Sequence, residues 1–281
     1  MVRNILYKQR LKFERHKKNI RNLSRIKRLA IMLTVSSGLA AGFALPAFAA
    51  FDAYMQKPVC TTVSTSKGSM TAAVVDPGNV SSGTLRVSNC QIGVYYDQNG
   101  SLSNVNISGA TYYGVFVDKG ASVNITDSTI TDIGDQPSFT GAQHGVDVYY
   151  TDGSSGTVSG NTLSDYQKNG FAATETGTNV AVLNNIVDGN GIIPYIAQNG
   201  IEFAYGASGS ARGNDINGNW YSGATWSSTG LLLFDVNANQ VKTSNNKFTG
   251  DQHNLALVTA QACPHEYDGF YEQYGLCTYN P

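Results

Sequence analysis

Charge is scarce in this chain and unevenly spread. Only 14% of the 281 residues are charged. Of 19 Lys plus Arg, 11 fall in residues 1–50, which leaves 8 basic residues beyond them; of 20 acidic residues, only Glu14 lies in that first segment, which leaves 19. The formal charge of −1 thus hides a segment after residue 49 carrying 8 − 19 = −11. Such a surface repels nucleic acid and anionic lipid, so neither is an expected partner. It is also a poor direct host for polyanionic sugars unless a cation bridges. No P-loop, dinucleotide fingerprint, Gly-x-Ser-x-Gly or His-Glu-x-x-His occurs, which sets aside nucleotide, flavin and serine-hydrolase chemistry. Neither CxxC nor His-x3–5-His spacing accompanies the four cysteines, so a zinc site is not expected. Helical periodicity is missing too: after residue 50 no 3.6-residue apolar stripe of useful length appears, while Gly and β-branched residues abound.

What is present begins with the amino-terminal basic run. It includes Arg3, Lys8, Arg10, Lys17, Lys18 and Arg28, and is followed by the apolar stretch Leu29–Ala50, with Gly42, Pro46 and a small-x-small ending at Ala47-Phe-Ala49. Basic region, apolar region and cleavage site stand in the order of a signal peptide. The expectation is a removable segment over 1–49 and a secreted, extracellular or cell-surface protein with no membrane association afterwards. An uncleaved anchor is the rival, since the apolar stretch is near spanning length. All four cysteines lie beyond this segment. Four cysteines allow three connectivities; their placement as two pairs at opposite ends of the chain favours Cys60–Cys90 and Cys263–Cys277.

Between those pairs the sequence repeats. Short apolar segments opened by glycine begin at Gly93, Gly114, Gly145, Gly170, Gly200 and Gly230, and a glycine-free copy begins at Asn254; the gaps are 21, 31, 25, 30, 30 and 24 residues. That period suits one solenoid coil per repeat. Period-two alternation predicts that the residues one and three after each glycine point inward. The outward row is then Tyr95, Phe116, Asp147, Ala172, Glu202, Leu232 and Ala256, with Asp118 and Tyr149 among the next outward positions. A second strand in each coil registers on Ser128, Asn161, Asn185, Asn214 and Asn246, and the residue two further on is always apolar. Stacked coils would place these asparagines in a hydrogen-bonding ladder.

With its GV-x-V, NG-I-x-F, GN-T-L and GN-D-I segments, the stretch from about residue 90 to 260 resembles the right-handed parallel β-helix, or pectin-lyase-like, group. The resemblance implies an all-β right-handed parallel β-helix of about seven coils over 91–260. Residues 50–90 are then an N-terminal cap, and residues 261–281 a disulfide-closed C-terminal tail, since solenoid ends need covering. The group carries lyases, hydrolases, epimerases, adhesins and phage proteins, so the fold leaves the reaction open.

Three insertions, 133–143, 189–198 and 219–228, precede glycine-led strands and carry Phe139, Tyr195, Trp220, Tyr221 and Trp226. Aligned by stacking, and joined by Tyr149, they form a candidate platform for sugar rings. Asp147 and Glu202, two coils apart in the outward row, would stand about 9–10 Å apart. That is near the carboxylate separation of inverting glycosidases, with one acid protonating the leaving oxygen and the other activating water. A lyase or epimerase reading instead gives calcium to Asp118, Asp147 and Glu175 or Glu202, with Lys168, Arg212 or His144 as base. The Gly-His and paired aspartates of polygalacturonases are missing. His144 borders Asp147, which could orient its ring for general-base work. The function class expected is a monomeric β-helix protein that binds or cleaves an extracellular polysaccharide or cell-surface glycan. The alternative is a non-catalytic surface, adhesion or structural module.

Overall fold

The computed structural model describes residues 49–50, 59–224, 226–258, 270–271 and 276–279. Seven coils wind through them, each contributing strands to three parallel sheet faces. The glycine-led face runs from Gly68–Val75 through Ile92–Tyr96, Tyr113–Val117, Val146–Tyr150, Asn169–Thr174, Asn199–Ala204 and Thr229–Phe234 to His253–Val258. A second face stacks Gly100–Ser103, Ser122–Thr126, Ser155–Ser159, Asn179–Leu183, Ser208–Arg212 and Val241–Ser244. The third stacks Val105–Ser108, Thr129–Ile133, Thr162–Tyr166, Ile186–Ile193, Asp215–Tyr221 and Lys247–Thr249. Asn79–Arg86 bends from the second face into the third and completes the first coil. The solenoid therefore starts inside the segment expected to be only a cap. The sole helical turn among the described residues is Ala238–Gln240.

Inward side chains of all three faces merge into one core, in which Val94, Val115, Val148, Phe171, Ile201 and Leu231 stack along the glycine-led face. The glycines sit where the chain turns from the third face into this one. A Cβ on Gly114 would stand 2.5 Å from Ile130 Cγ2 and 2.6 Å from the Asp147 carbonyl oxygen, so only hydrogen fits the inside of that corner.

The asparagine ladder forms as expected. The backbone N–H and side-chain amide of Asn161 both donate to Asn185 Oδ1 at 3.0 Å, and those of Asn185 donate to Asn214 Oδ1 at the same distance. Asn214 repeats the pattern on Asn246, and Ser128 joins through its N–H to Asn161 Oδ1 at 3.0 Å. Each amide also donates to a strand carbonyl, as Asn185 does to Val158 at 2.9 Å. Buried polar groups at this corner thus find partners in the neighbouring coils.

One register differs from expectation, and it moves a key residue. Val146 pairs with Tyr113 and Asn169, and Val148 with Val115 and Phe171. Asp147 therefore stands opposite Gly114 and Gly170, in the glycine column, and points inward. Gly145 is instead a turn residue with φ +87°. The outward row becomes Tyr95, Phe116, Tyr149, Ala172, Glu202, Leu232, Ala256.

Cys60 and Cys90 are disulfide-bonded, as expected. Cys263 lies outside the described residues, and with it the second expected pair. Leu276–Tyr279 of the tail pairs antiparallel with His253–Val258 and adds to the end of the glycine-led sheet.

Candidate functional site

The predicted acids go to different places. Asp147 is fully buried, and neither carboxylate oxygen has a hydrogen-bond partner. Burial pushes its carboxyl well above the usual range, and Asp165 adds to the effect. The Ser164 N–H acts against it without closing a bond of normal geometry. Along the same inner corner, the Tyr166 hydroxyl donates to Asn219 Oδ1 at 2.7 Å, and Asn219 donates through both its N–H and its amide to Asp251 Oδ1 at 2.9 and 2.8 Å. Burial pushes Asp251 up to about 6. The expected outward pair of Asp147 and Glu202 does not form, because the two carboxylates lie on opposite sides of the sheet.

Asp118 does point outward, but it is covered. Thr61–Thr65 and Gly68–Val75 form an antiparallel hairpin whose turn lies over the glycine-led face. Val63, Met70 and Ala72 of the hairpin pack on Ile92, Tyr95, Phe116, Val146, Tyr149 and Ala172. Its turn is pinned by polar contacts. Asp118 Oδ2 accepts from the Ser66 N–H at 2.8 Å and the Tyr95 hydroxyl at 3.2 Å, and Lys67 pairs with Glu175. Asp118 and Glu175 thus serve the hairpin while Asp147 faces the core, so the three expected calcium ligands do not share a face. No group of three or more His, Cys, Asp or Glu suited to a metal occurs among the described residues. Asp118→Ala should free the turn: amide exchange at Ser66 and Lys67 should quicken tenfold or more, while the asparagine-ladder amides keep their rates. Unchanged exchange at the turn would show that apolar packing alone holds it.

His144 is oriented by Asp135 rather than Asp147: Nε2 lies 2.7 Å from Asp135 Oδ1, and the ring stacks on Tyr112 at 4.0 Å. The Thr140 hydroxyl also donates to Asp135 and, with His144, holds its carboxyl below the usual range against the effect of burial. Tyr149 is buried beneath the hairpin, stacked on Tyr113 at 4.8 Å and bonded to Thr174 at 2.7 Å. Arg212 lies at the end of a strand on the second face, away from the glycine-led sheet.

The aromatic loops divide. Phe139 folds over Gly134, and the Tyr221 ring folds over Gly223. Tyr195, Trp220 and Trp226 stay exposed, at 36%, 38% and 69%, together with Ile192 at 70%. Ile192 and Trp220 are register partners on adjacent coils, and Gly141 of the first loop abuts the Tyr195 carbonyl of the second. The three insertions therefore line one edge, as expected. Glutamines hold them there. Gln167 Oε1 accepts from the N–H of Asp135 and Thr140, Gln198 Oε1 from Asn190, and Gln252 Oε1 from Ser228 and Tyr221, at 2.9–3.2 Å. These glutamines were not singled out in the sequence analysis; the signal is a glutamine three residues before Gly170 and two before Gly200 and Asn254.

Beside this edge, on the open part of the glycine-led face, stands Glu202. Asn169 and Asn199 both donate side-chain amides to its Oε2, at 2.8 and 3.2 Å. Thr229 in turn donates to Asn199 Oδ1 at 2.8 Å. All three partners are buried at the strand entrances, in register on consecutive coils. Lys168 donates to the Ala197 carbonyl at 2.7 Å; burial lowers its pKa, and the Glu202 charge opposes that. The sequence placed Glu202 correctly but missed Asn169 and Asn199 as its partners.

Compared with descriptions of known families, residues 77–248 match the right-handed beta helix region. The chain belongs to the right-handed β-helix family. Neither the curated proteins nor the solved structures give a match to it. Among the described residues the β-helix thus presents an open stretch of the glycine-led face beside an aromatic edge, with the Glu202 carboxylate held there by asparagines.

Proposed function

We propose that this β-helix protein is exported and binds an extracellular polysaccharide at the edge formed by its second and third insertions, without cleaving it through an Asp147–Glu202 pair. The observation that carries this reading is the exposure of Tyr195, Trp220 and Trp226, with Ile192, on neighbouring coils along one edge. Exposed rings held by a rigid scaffold, Trp220 on a strand end and Tyr195 and Trp226 on the loops beyond Ile193 and Tyr221, suit the apolar faces of sugars. The basic and apolar start of the chain supports export, and the charge of 8 − 19 = −11 beyond residue 49 supports a soluble extracellular role. With Asp147 turned inward, Glu202 has no partner across a glycosidic bond in that row, and two-carboxylate hydrolysis loses its geometry.

Affinity electrophoresis of the exported protein through gels containing different polysaccharides tests the proposal. At least one gel should retard it. Trp220→Ala and Trp226→Ala should each weaken retention about tenfold, equivalent to roughly 1.4 kcal/mol for one lost ring contact. Free passage through every neutral and acidic gel would overturn the reading. So would retention that ignores both tryptophans.

A further inference from the structure

We infer that the site around Glu202 takes a short neutral saccharide unit, one or two rings long, recognised through adjacent hydroxyls. This rests on the binding reading above and gives it a ligand class. The outward face of the glycine-led sheet is not a continuous groove. The hairpin covers it as far as Ala172, which is 2% exposed, and at the other end Ala256 is fully buried. Glu202 and Leu232 lie between them in register and are partly exposed. The open window is thus about two coils wide, roughly 10 Å at one sheet spacing per coil. That length accepts one or two pyranose rings and excludes an extended chain lying along the sheet.

The chemistry of the window follows from its one carboxylate. Oε2 of Glu202 is occupied by two amides from buried asparagines, which fix the group without neutralising it. Among the described residues Oε1 takes no hydrogen bond. A preorganised carboxylate oxygen is a strong acceptor for a sugar hydroxyl, and the Thr229–Asn199–Asn169 chain holds it in place. Lys168, the nearby cation, is only partly exposed and spends one of its three N–H donors on the Ala197 carbonyl. A uronate carboxylate brought here would meet Glu202 with like charge. Trp226 stands three residues before Thr229 and Tyr195 four before Asn199, so the aromatic loops lead directly into the strands of the window.

Isothermal titration of the full protein with gluco-, manno-, galacto- and xylo-oligosaccharides of one to six units, and with the matching uronate oligomers, tests this. Affinity for one neutral series should rise from one to two units and then stay level, and uronates should bind at least tenfold more weakly. Glu202→Gln keeps an acceptor for both amides, so it should melt like the parent yet bind the neutral ligand at least tenfold more weakly. Three results would overturn the inference: affinity climbing through the hexamer, uronates binding as tightly as neutral sugars, or Glu202→Gln binding unchanged. If any of these occurs while gels still retain the protein through its tryptophans, the binding proposal stands and only the ligand class fails. If no saccharide binds in either experiment, both fall.

Discussion

Alanine at position 147 is expected to stabilise the protein at pH 8 and to leave it little changed, or slightly weaker, at pH 4. Asp147 is fully buried in the glycine column, and neither of its oxygens has a hydrogen-bond partner. Desolvation raises its native pKa well above the ordinary value of 3.8, helped by Asp165. The unfolded chain keeps the ordinary value. Between the two pKa values the native state therefore holds a proton that the unfolded state has released. Stability is highest at and below the unfolded pKa and falls as pH rises through this window, by roughly 1 kcal/mol or more per pH unit. Asp251, pushed up to about 6, contributes in the same direction over a narrower range. Alanine keeps the Cβ, which already fits, and removes the titrating group at the cost of a small cavity, on the order of 1 kcal/mol. Urea unfolding of both proteins at pH 4, 6 and 8 should show a difference that grows with pH. A difference independent of pH would mean that Asp147 is neutralised by a partner in the folded state.

Asn185→Ala should be among the most damaging single changes. Asn185 is 1% exposed, and its Oδ1 accepts both the backbone N–H and the side-chain amide of Asn161. Its own amide serves the Val158 carbonyl and Asn214 Oδ1. Alanine strands a buried backbone donor, an amide hydrogen and a strand carbonyl together. At about 1–3 kcal/mol for each unsatisfied group, partly relieved by relaxation, a loss of about 3 kcal/mol or more is expected in urea unfolding. Asn246 ends the ladder and is only partly buried, so Asn246→Ala should cost clearly less. Equal losses at the two positions would contradict a stacked ladder whose interior members carry more bonds.

The ladder, the coil number and the common edge of the insertions were legible because each rests on a pattern repeated from coil to coil. Local pattern carries such features, and stacking only repeats them. Asp147 was misplaced for the same reason. Gly-Val occurs at both Gly114 and Gly145, and matching glycine to glycine shifted one strand by two residues. Val94-Tyr-Tyr and Val148-Tyr-Tyr are the better match, and they put Asp147 in line with Gly93. A buried, unpartnered aspartate is also the last residue one assigns to a column otherwise held by Gly93, Gly114, Gly170, Gly200 and Gly230. The placement of the hairpin over Asp118 had no local signal. Its closure joins Ser66 to a carboxylate 52 residues away, and that contact exists only once the coils are stacked. Glu202 was found by its row, but its asparagine partners come from two coils and depended on a register that the glycines alone did not supply.

Most coils of such a solenoid touch only the coils above and below, which lets individual turns loosen independently. Tyr166 breaks that rule. Its hydroxyl reaches Asn219, 53 residues along and two coils away, past the coil that contains Gly189. A Cβ on Gly189 would stand 2.8 Å from Asn219 Oδ1. Loosening that intermediate coil disturbs a bond in which it has no share. Three successive coils are thereby tied into one cooperative block, and that block carries the Glu202 strand and the Asn169 strand beside it. Local fraying is in this way opposed in the coils that hold Asn169, Asn199 and Glu202.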